Sequence, residues 1–259
     1  MSTAASARDT LTGAPLAGQT ALVTGGARRV GAAIVRSLHQ AGAAVAIHCR
    51  HSTAEAAALA AELCRARAGS AAVFRADLLE DEALHALVAG TCARFGGLQI
   101  LVNNASSFYA TPFGAVSAGS WTDLMGTNLR APLFLSQAAA TPLRQAGGLI
   151  VNIIDIHGLR ALPDYIVYST AKAALLHLTR ALARELAPQV RVNGIAPGPV
   201  LWPESGLDAA RRQQIMARTP LGAIGSPADV ARAVRFFATD APFVTGQILA
   251  VDGGRSLRW

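Results

Sequence analysis

Cysteine is scarce. Cys49, Cys64 and Cys92 are the only three in 259 residues, odd in number, scattered and without metal-ligand spacing. They imply neither a disulfide framework nor a metal site, and a reducing, cytoplasmic setting fits them. No apolar stretch approaches the roughly 20 residues that cross a bilayer, so no membrane partner is expected. The formal charge is +7 and the isoelectric point near 10.3, yet no basic run exists. Arg28-Arg29 and Arg211-Arg212 are the tightest pairs, and none alternates with aromatics, so nucleic acid is not the expected partner. The surplus reads as solvated surface plus a site for an anionic cofactor or substrate. Repeats, long linkers and composition shifts are missing as well, which leaves one domain. The start, MSTAASARDTLTGAPLAG, has no basic end followed by an apolar segment. Residues 1 to about 17 read as a flexible lead and 18–259 as the domain.

What is present is an apolar majority, 52% of the chain, enough for a large α/β core. Gln19 to Thr24 reads as a buried strand that breaks into Gly25-Gly26-Ala27-Arg28-Arg29-Val30-Gly31 before helical spacing at Val30, Ile34 and Leu38. A glycine turn between strand and helix lets backbone N–H groups approach a pyrophosphate at the positive end of the helix. A plain βα turn is the other reading, because the spacing departs from G-x-G-x-x-G. Ala44 to Cys49 is the next strand. At its end, where an acidic residue binds an adenosine 2′-hydroxyl, stand Arg50, His51 and Ser52. Cations and a hydroxyl suit a 2′-phosphate, so NADPH is the expected cofactor; Ser52 also suits a helix cap over Thr53 to Ala68.

Ala71 to Arg75 is a third strand, ended by Asp77 and Leu78. Asp77 either meets an adenine amino group or caps the helix near Glu80. Leu98 to Val102 runs into Asn103-Asn104-Ala105-Ser106-Ser107-Phe108-Tyr109, where the amides tie strands together or shape a cofactor floor. Phe108 lies where ligands bind in open parallel sheets, although core packing is the ordinary use of a Phe. Asn128 sits among Leu124, Leu129 and Leu133 in one or two helices over Ala118 to Ala146, in a structural or a catalytic role. Gly148 to Ile154 is an apolar central strand followed by Asp155. A long helix, Asp164 to Leu186, carries Tyr165, Tyr168 and Lys172. Tyr168 and Lys172 share a face, and an ammonium there is expected to draw the phenol pKa down from about 10. Val190 to Ile195 is strand six, Pro197-Gly198-Pro199 turns sharply, and 200–225 lacks clean periodicity, as segments covering a substrate often do. Trp202 lies in it. Ser226-Pro-Ala-Asp229 opens a capped helix and Gln247 to Val251 closes the sheet.

Thr24-Gly25 to Gly31, Asn103-Asn104-Ala105, Asn128, Tyr168-x-x-x-Lys172 and Pro197-Gly198 together resemble the short-chain dehydrogenase/reductase family over nearly the whole chain. The resemblance implies a single Rossmann-like, doubly wound α/β domain with a seven-stranded parallel sheet flanked by helices, nicotinamide beside Tyr168, and a homotetramer. Three departures from the common pattern are Arg29 in place of glycine, Ser106 in place of glycine, and Asp155 in place of serine thirteen residues before the tyrosine. All three resemble the pteridine reductases, including bacterial dihydromonapterin and dihydrofolate reductases of this fold. The runs 103 to 109, His48-x-x-x-Ser52-x-x-Glu55-Ala56 and Val251-Asp-Gly-Gly-x-Ser256-Leu257 add to the likeness.

An ionised carboxylate repels the negative charge that grows on a ketone oxygen, whereas a pterin C=N bond leaves a nitrogen that needs a proton. The resemblance therefore implies NADPH-dependent reduction of a pterin or folate, with Tyr168 and Asp155 supplying the proton. Lys172 would hold the nicotinamide ribose and lower the Tyr168 pKa, and Asn128 would anchor a water leading to Lys172. Phe108 would stack on the pterin, while Ser106 and Arg29 contact its polar groups and the cofactor phosphate. A C-terminal residue, Arg258 or Trp259, would border a neighbouring subunit's site. Two other readings stand beside this one: a carbonyl reductase of the same fold acting on 3-oxoacyl-type substrates, and a non-catalytic NADP(H)-binding protein.

Overall fold

A computed structural model describes residues 14–202 and 206–257; Arg258 and Trp259, with the role expected of them, lie outside. Seven short strands form one all-parallel sheet: β1 (Thr20–Val23), β2 (Ala44–Cys49), β3 (Ala71–Arg75), β4 (Ile100–Asn103), β5 (Leu149–Ile153), β6 (Arg191–Pro197) and β7 (Ile248–Val251). Their spatial order is β3-β2-β1-β4-β5-β6-β7, so the winding reverses between β1 and β4. In register, Val23 faces Ile47 on one side and Val102 on the other. The carboxyl ends of these strands open there, the usual place for a ligand in such a sheet.

Alternation along the strands explains the two-sided core. Ala21 and Val23 point to one face, with Ile34, Val35 and Leu38 of α1 (Arg29–Gln40), Leu59 and Leu63 of α2 (Thr53–Ala66) and Val234 and Phe237 of α8 (Pro227–Thr239). Leu22 points to the other, with Leu84, Leu87 and Val88 of α3 (Asp81–Phe95), Leu135 and Leu143 of α5 (Ala131–Ala146) and Ala183 of α6 (Ile166–Glu185). Strands buried on both faces require near-continuous apolar runs, which is why β1, β4 and β5 read so clearly in the sequence. Leu16, inside the stretch read as a lead, is buried, and its N–H donates to the Ala41 carbonyl at 2.8 Å.

Between α4 (Ala118–Met125) and α5 the helix widens into a single π turn, Gly126–Arg130, which carries Asn128. The segment 200–225 holds a short helix, α7 (Ala209–Ala217), with no buried residue. Ser226 and Asp229 close the reciprocal cap that starts α8. No helix among the described residues is long and apolar enough to cross a membrane.

Candidate active site

β5 delivers Asp155 to the end of the sheet and α6 brings Tyr168 back against it. The Tyr168 hydroxyl donates to Asp155 Oδ2 at 2.8 Å. The other carboxylate oxygen accepts the His157 N–H at 2.8 Å, capping the 3-10 turn Ile156–Gly158. Asp155 is thus held at both oxygens, one by backbone and one by the phenol. Tyr168 is 4% exposed and Lys172 2%. The Lys172 ammonium donates to the Ile153 carbonyl at 3.0 Å and stands 5.7 Å from the Tyr168 ring centroid.

These positions reverse the expected direction of the tyrosine's acidity. Burial and then the adjacent Asp155 carboxylate push the Tyr168 phenol well above its ordinary value, against a lowering contact from Ser106. A carboxylate in hydrogen-bond contact opposes a phenolate more than a lysine 5.7 Å from the ring favours one. Tyr168 therefore stays protonated at neutral pH and acts as a donor. Lys172 yields instead: burial lowers it to about 8, against the opposing charge of Asp155.

Asn128 is fully buried. Its amide nitrogen donates to the Ser107 and Leu124 carbonyls at 2.9 and 3.0 Å, and its oxygen accepts the Ser106 hydroxyl at 2.7 Å. The side chain pins the 103–109 loop to the π turn and makes no hydrogen bond to Lys172, so the structure does not join those two residues directly. Phe108 is 51% exposed; its ring stacks on Tyr165 at 4.6 Å and meets Tyr168 edge-on at 4.8 Å. It borders the tyrosine but is not among the residues lining the cleft beside it.

That cleft, about 580 Å³, lies at the winding reversal and gathers the remaining candidates: Gly25, Arg28, Arg29, Val30, Gly31, Arg50, His51, Ser52, Asp77, Leu78, Asn104, Ala105, Ser106, Asp155, Tyr168, Lys172, Pro197 and Gly198. The first turn of α1 opens into it with no side-chain cap and no acidic residue, so the positive end of the helix favours an anion there. Gly25 has φ +60, and a Cβ on Gly31 would sit 2.0 Å from the Gly25 carbonyl oxygen. Such a cradle admits only glycine at those places. Asn104 fixes it from β4, donating to the Thr24 and Gly25 carbonyls at 2.8 and 3.1 Å. The rim beyond β2 is cationic: Arg50 pairs with Asp77 at 2.9 Å, and Asp77 also accepts the Leu79 N–H. A phosphate-rich dinucleotide fits these donors.

The family model described as enoyl-(acyl carrier protein) reductase matches residues 25–256. The chain belongs to the short-chain dehydrogenase/reductase family. It is 39% identical over 249 residues to a 4-formylbenzenesulfonate dehydrogenase of Comamonas testosteroni, covering 92% of this chain and 98% of that one. Pteridine reductase 1 of Leishmania tarentolae is 35% identical over 278 aligned positions, 92% of this chain and 96% of that one. A 3-oxoacyl-[acyl-carrier-protein] reductase of Staphylococcus aureus is 32% identical over 241 residues, at 91% and 97% coverage. Short-chain dehydrogenases/reductases bind NAD(H) or NADP(H), and this one is an oxidoreductase.

One residue escaped the sequence reading as a contributor to this short-chain reductase site. His48, buried in β2, accepts the Gly25 N–H on Nδ1 at 3.1 Å and faces the Ala76 carbonyl through Nε2 at 3.2 Å. Those partners require the neutral ring with its proton on Nε2, and burial lowers its pKa accordingly. His48 thereby ties the glycine turn to the end of β3. Its signal was a polar residue in the buried run AVAIHC. Arg29 also does more than line the cleft: at φ +53, it donates to the Trp202 carbonyl at 3.2 Å, joining the glycine turn to 200–225. The Trp202 ring lies under the Arg212 guanidinium at 5.5 Å.

Lys172 is the sole lysine of the chain, so its titration is readable without assignment. An unfolded lysine keeps its proton to about pH 10.5, whereas the folded one releases it near 8. Holding the buried charge thus costs the fold about 3 kcal/mol below pH 8, a cost that disappears between pH 8 and 10.5. Lys172→Met removes it but strands the Ile153 carbonyl, worth about 1–3 kcal/mol. The variant is expected to lose turnover while its melting temperature at pH 7 equals or slightly exceeds the parent's, with that relative advantage lost by pH 10.5. A fall of more than about 5 °C at pH 7 contradicts this balance.

Proposed function

We propose that this protein is an NADPH-dependent pteridine reductase that saturates a C=N bond of a dihydropterin, pterin or dihydrofolate. The observation that carries the reading is the 2.8 Å bond between the Tyr168 hydroxyl and Asp155. NADPH, when bound, supplies the hydride. Gly25, Gly31, Asn104 and Ser106 would hold its phosphates and nicotinamide side, and Arg50, His51 and Ser52 its 2′-phosphate. Lys172 would hold the nicotinamide ribose.

A C=N carbon that gains hydride leaves nitrogen short of one proton. The Tyr168 phenol, kept protonated by burial and by Asp155, gives up that proton; Asp155, a half-buried carboxylate, then takes a proton from solvent and returns it to the phenolate along the same hydrogen bond. Asp155 positions the phenol through Oδ2 while the His157 N–H fixes Oδ1. Phe108, half-exposed beside Tyr168, offers a flat face to a bicyclic ring. A cytoplasmic homotetramer is part of this proposal.

The 32% identity to a 3-oxoacyl-[acyl-carrier-protein] reductase favours a second reading, reduction of carbonyl substrates. Asp155 weighs against it, because a carboxylate beside the phenol destabilises an alkoxide forming there. Dihydrobiopterin and acetoacetyl thioester assayed side by side separate the two.

Cofactor choice is tested at the rim of β2. Arg50→Ala is expected to raise the Michaelis constant for NADPH about tenfold and that for NADH less than about twofold. Equal changes with both cofactors would remove Arg50 from 2′-phosphate recognition.

A further inference from the structure

A second cavity, about 430 Å³, is lined in part by the segment that follows Asp155. Its walls are Ile156, His157, Arg160, Ala161, Leu162 and Pro163 on one side and Arg218, Arg255 and Ser256 on the other. Both ends of the first wall are fastened to the reacting groups. His157 donates its N–H to Asp155, and the Leu162 N–H donates to the hydroxyl of Ser169, the residue after Tyr168. The segment lining this cavity is therefore fixed in place relative to Asp155 and the start of α6.

The lining divides by chemistry. Ile156, Ala161, Leu162 and Pro163 are apolar, while Arg218 and Arg255 bring positive charge to the lining. Arg255 is held by the Ile215 carbonyl at 2.8 Å. Asp252, the carboxylate that acts on Arg255, is engaged by the Gly254 and Ser256 N–H groups. Burial and then the crowding of Arg218, Arg211 and Arg160 hold the Arg255 guanidinium below its ordinary value, against Asp252. Like charges gathered around one space are relieved by an anion of matching charge.

We propose that this cavity takes an anionic tail of the substrate, an apolar or aromatic linker ending in two negative charges carried by carboxylates or a phosphate. The inference rests on Tyr168 and Asp155 being where the substrate is reduced, and not on that substrate being a pterin.

The test pairs substrates that share a reacting group and differ in the tail. Dihydrofolate, ending in two carboxylates, is compared with dihydrobiopterin, which has a neutral side chain. Acetoacetyl coenzyme A, which carries phosphates, is compared with ethyl acetoacetate. Each is assayed with the parent, Arg218→Gln and Arg255→Gln. Arg218 is exposed, so its variant keeps the test open should Arg255→Gln fail to fold.

For the tailed member, both substitutions are expected to raise the Michaelis constant about tenfold, with turnover within about twofold. The untailed member should be unaffected. Added salt should raise the parent's constant for the tailed substrate more than the variant's. The pair that responds identifies carboxylate or phosphate. Equal effects on tailed and untailed substrates, or none on either tail, overturn the proposal. If pterins are inert and the thioester is turned over, the pteridine reading falls while the thioester pair still decides the cavity. If neither class reacts, calorimetry with p-aminobenzoylglutamate and phosphopantetheine decides it: binding weakened by Arg218→Gln supports the site, and no binding refutes it.

Discussion

Tyr168→Phe is expected to lower turnover about a hundredfold to ten-thousandfold while the protein folds normally. The loss follows from removing the only group that can hand a proton to the reduced ring, a contribution of about 10² to 10⁴ in positioned acid catalysis. The fold survives because the phenylalanine ring keeps the packing of Tyr168 against Leu124 and Val167 and its edge contact with Phe108. The hydrogen bond to Asp155, worth about 1 kcal/mol, and the contact with Ser106 go, and the half-buried carboxylate retains the His157 N–H. Circular dichroism, melting temperature and NADPH oxidation check this together. A variant that keeps a tenth of parental turnover removes Tyr168 from the chemistry.

Asp155→Ser and Asp155→Asn should have the next largest effects, and in opposite directions on two substrate classes. With the carboxylate gone, pterin reduction falls about a hundredfold or more, since the phenol loses its proton source. The phenol's own pKa drops towards the ordinary tyrosine range, because one of its two raising influences is removed. In Asp155→Ser a hydroxyl stands where a growing ketone oxygen would seek a donor, so carbonyl reduction should rise relative to pterin reduction. Substrate-specific rates, with ultraviolet titration of Tyr168, read both effects. Unchanged pterin turnover in Asp155→Asn would strip the carboxylate of its role.

Much of the framework was legible because its signals are local. Buried parallel strands need continuous apolar runs, and the sequence has them at β1, β4 and β5; predicted and observed spans of β2 and of the edge strand β3 agree to the residue. Gly25 and Gly31 announce the cradle because no side chain fits it. The single lysine of the chain falls inside the site, in a protein that otherwise uses arginine for its cations.

What was not legible depends on distances between elements. The rise in the Tyr168 pKa arises where β5 and α6 converge, and a Tyr-x-x-x-Lys spacing suggests the opposite sign because it shows the lysine and hides the carboxylate. The π turn at Gly126–Arg130 inserts its extra residue without disturbing the apolar pattern around Leu124 and Leu129. Helix α7 buries no residue fully and half-buries only Arg212, Ile215 and Met216, so AARRQQIMA offers little apolar periodicity to read. His48 looked like one more strand residue until the fold laid it beneath Gly25.

The central claim is that a carboxylate bonded to a protonated phenol fits this reductase for C=N bonds and not for ketones. NADPH oxidation measured across dihydrobiopterin, dihydromonapterin, dihydrofolate, acetoacetyl thioester and simple ketones, with NADH as control, tests it most directly. The account predicts turnover confined to the pterin and folate members and favoured by NADPH. Rapid oxidation with the oxo compounds and none with any pterin would contradict it.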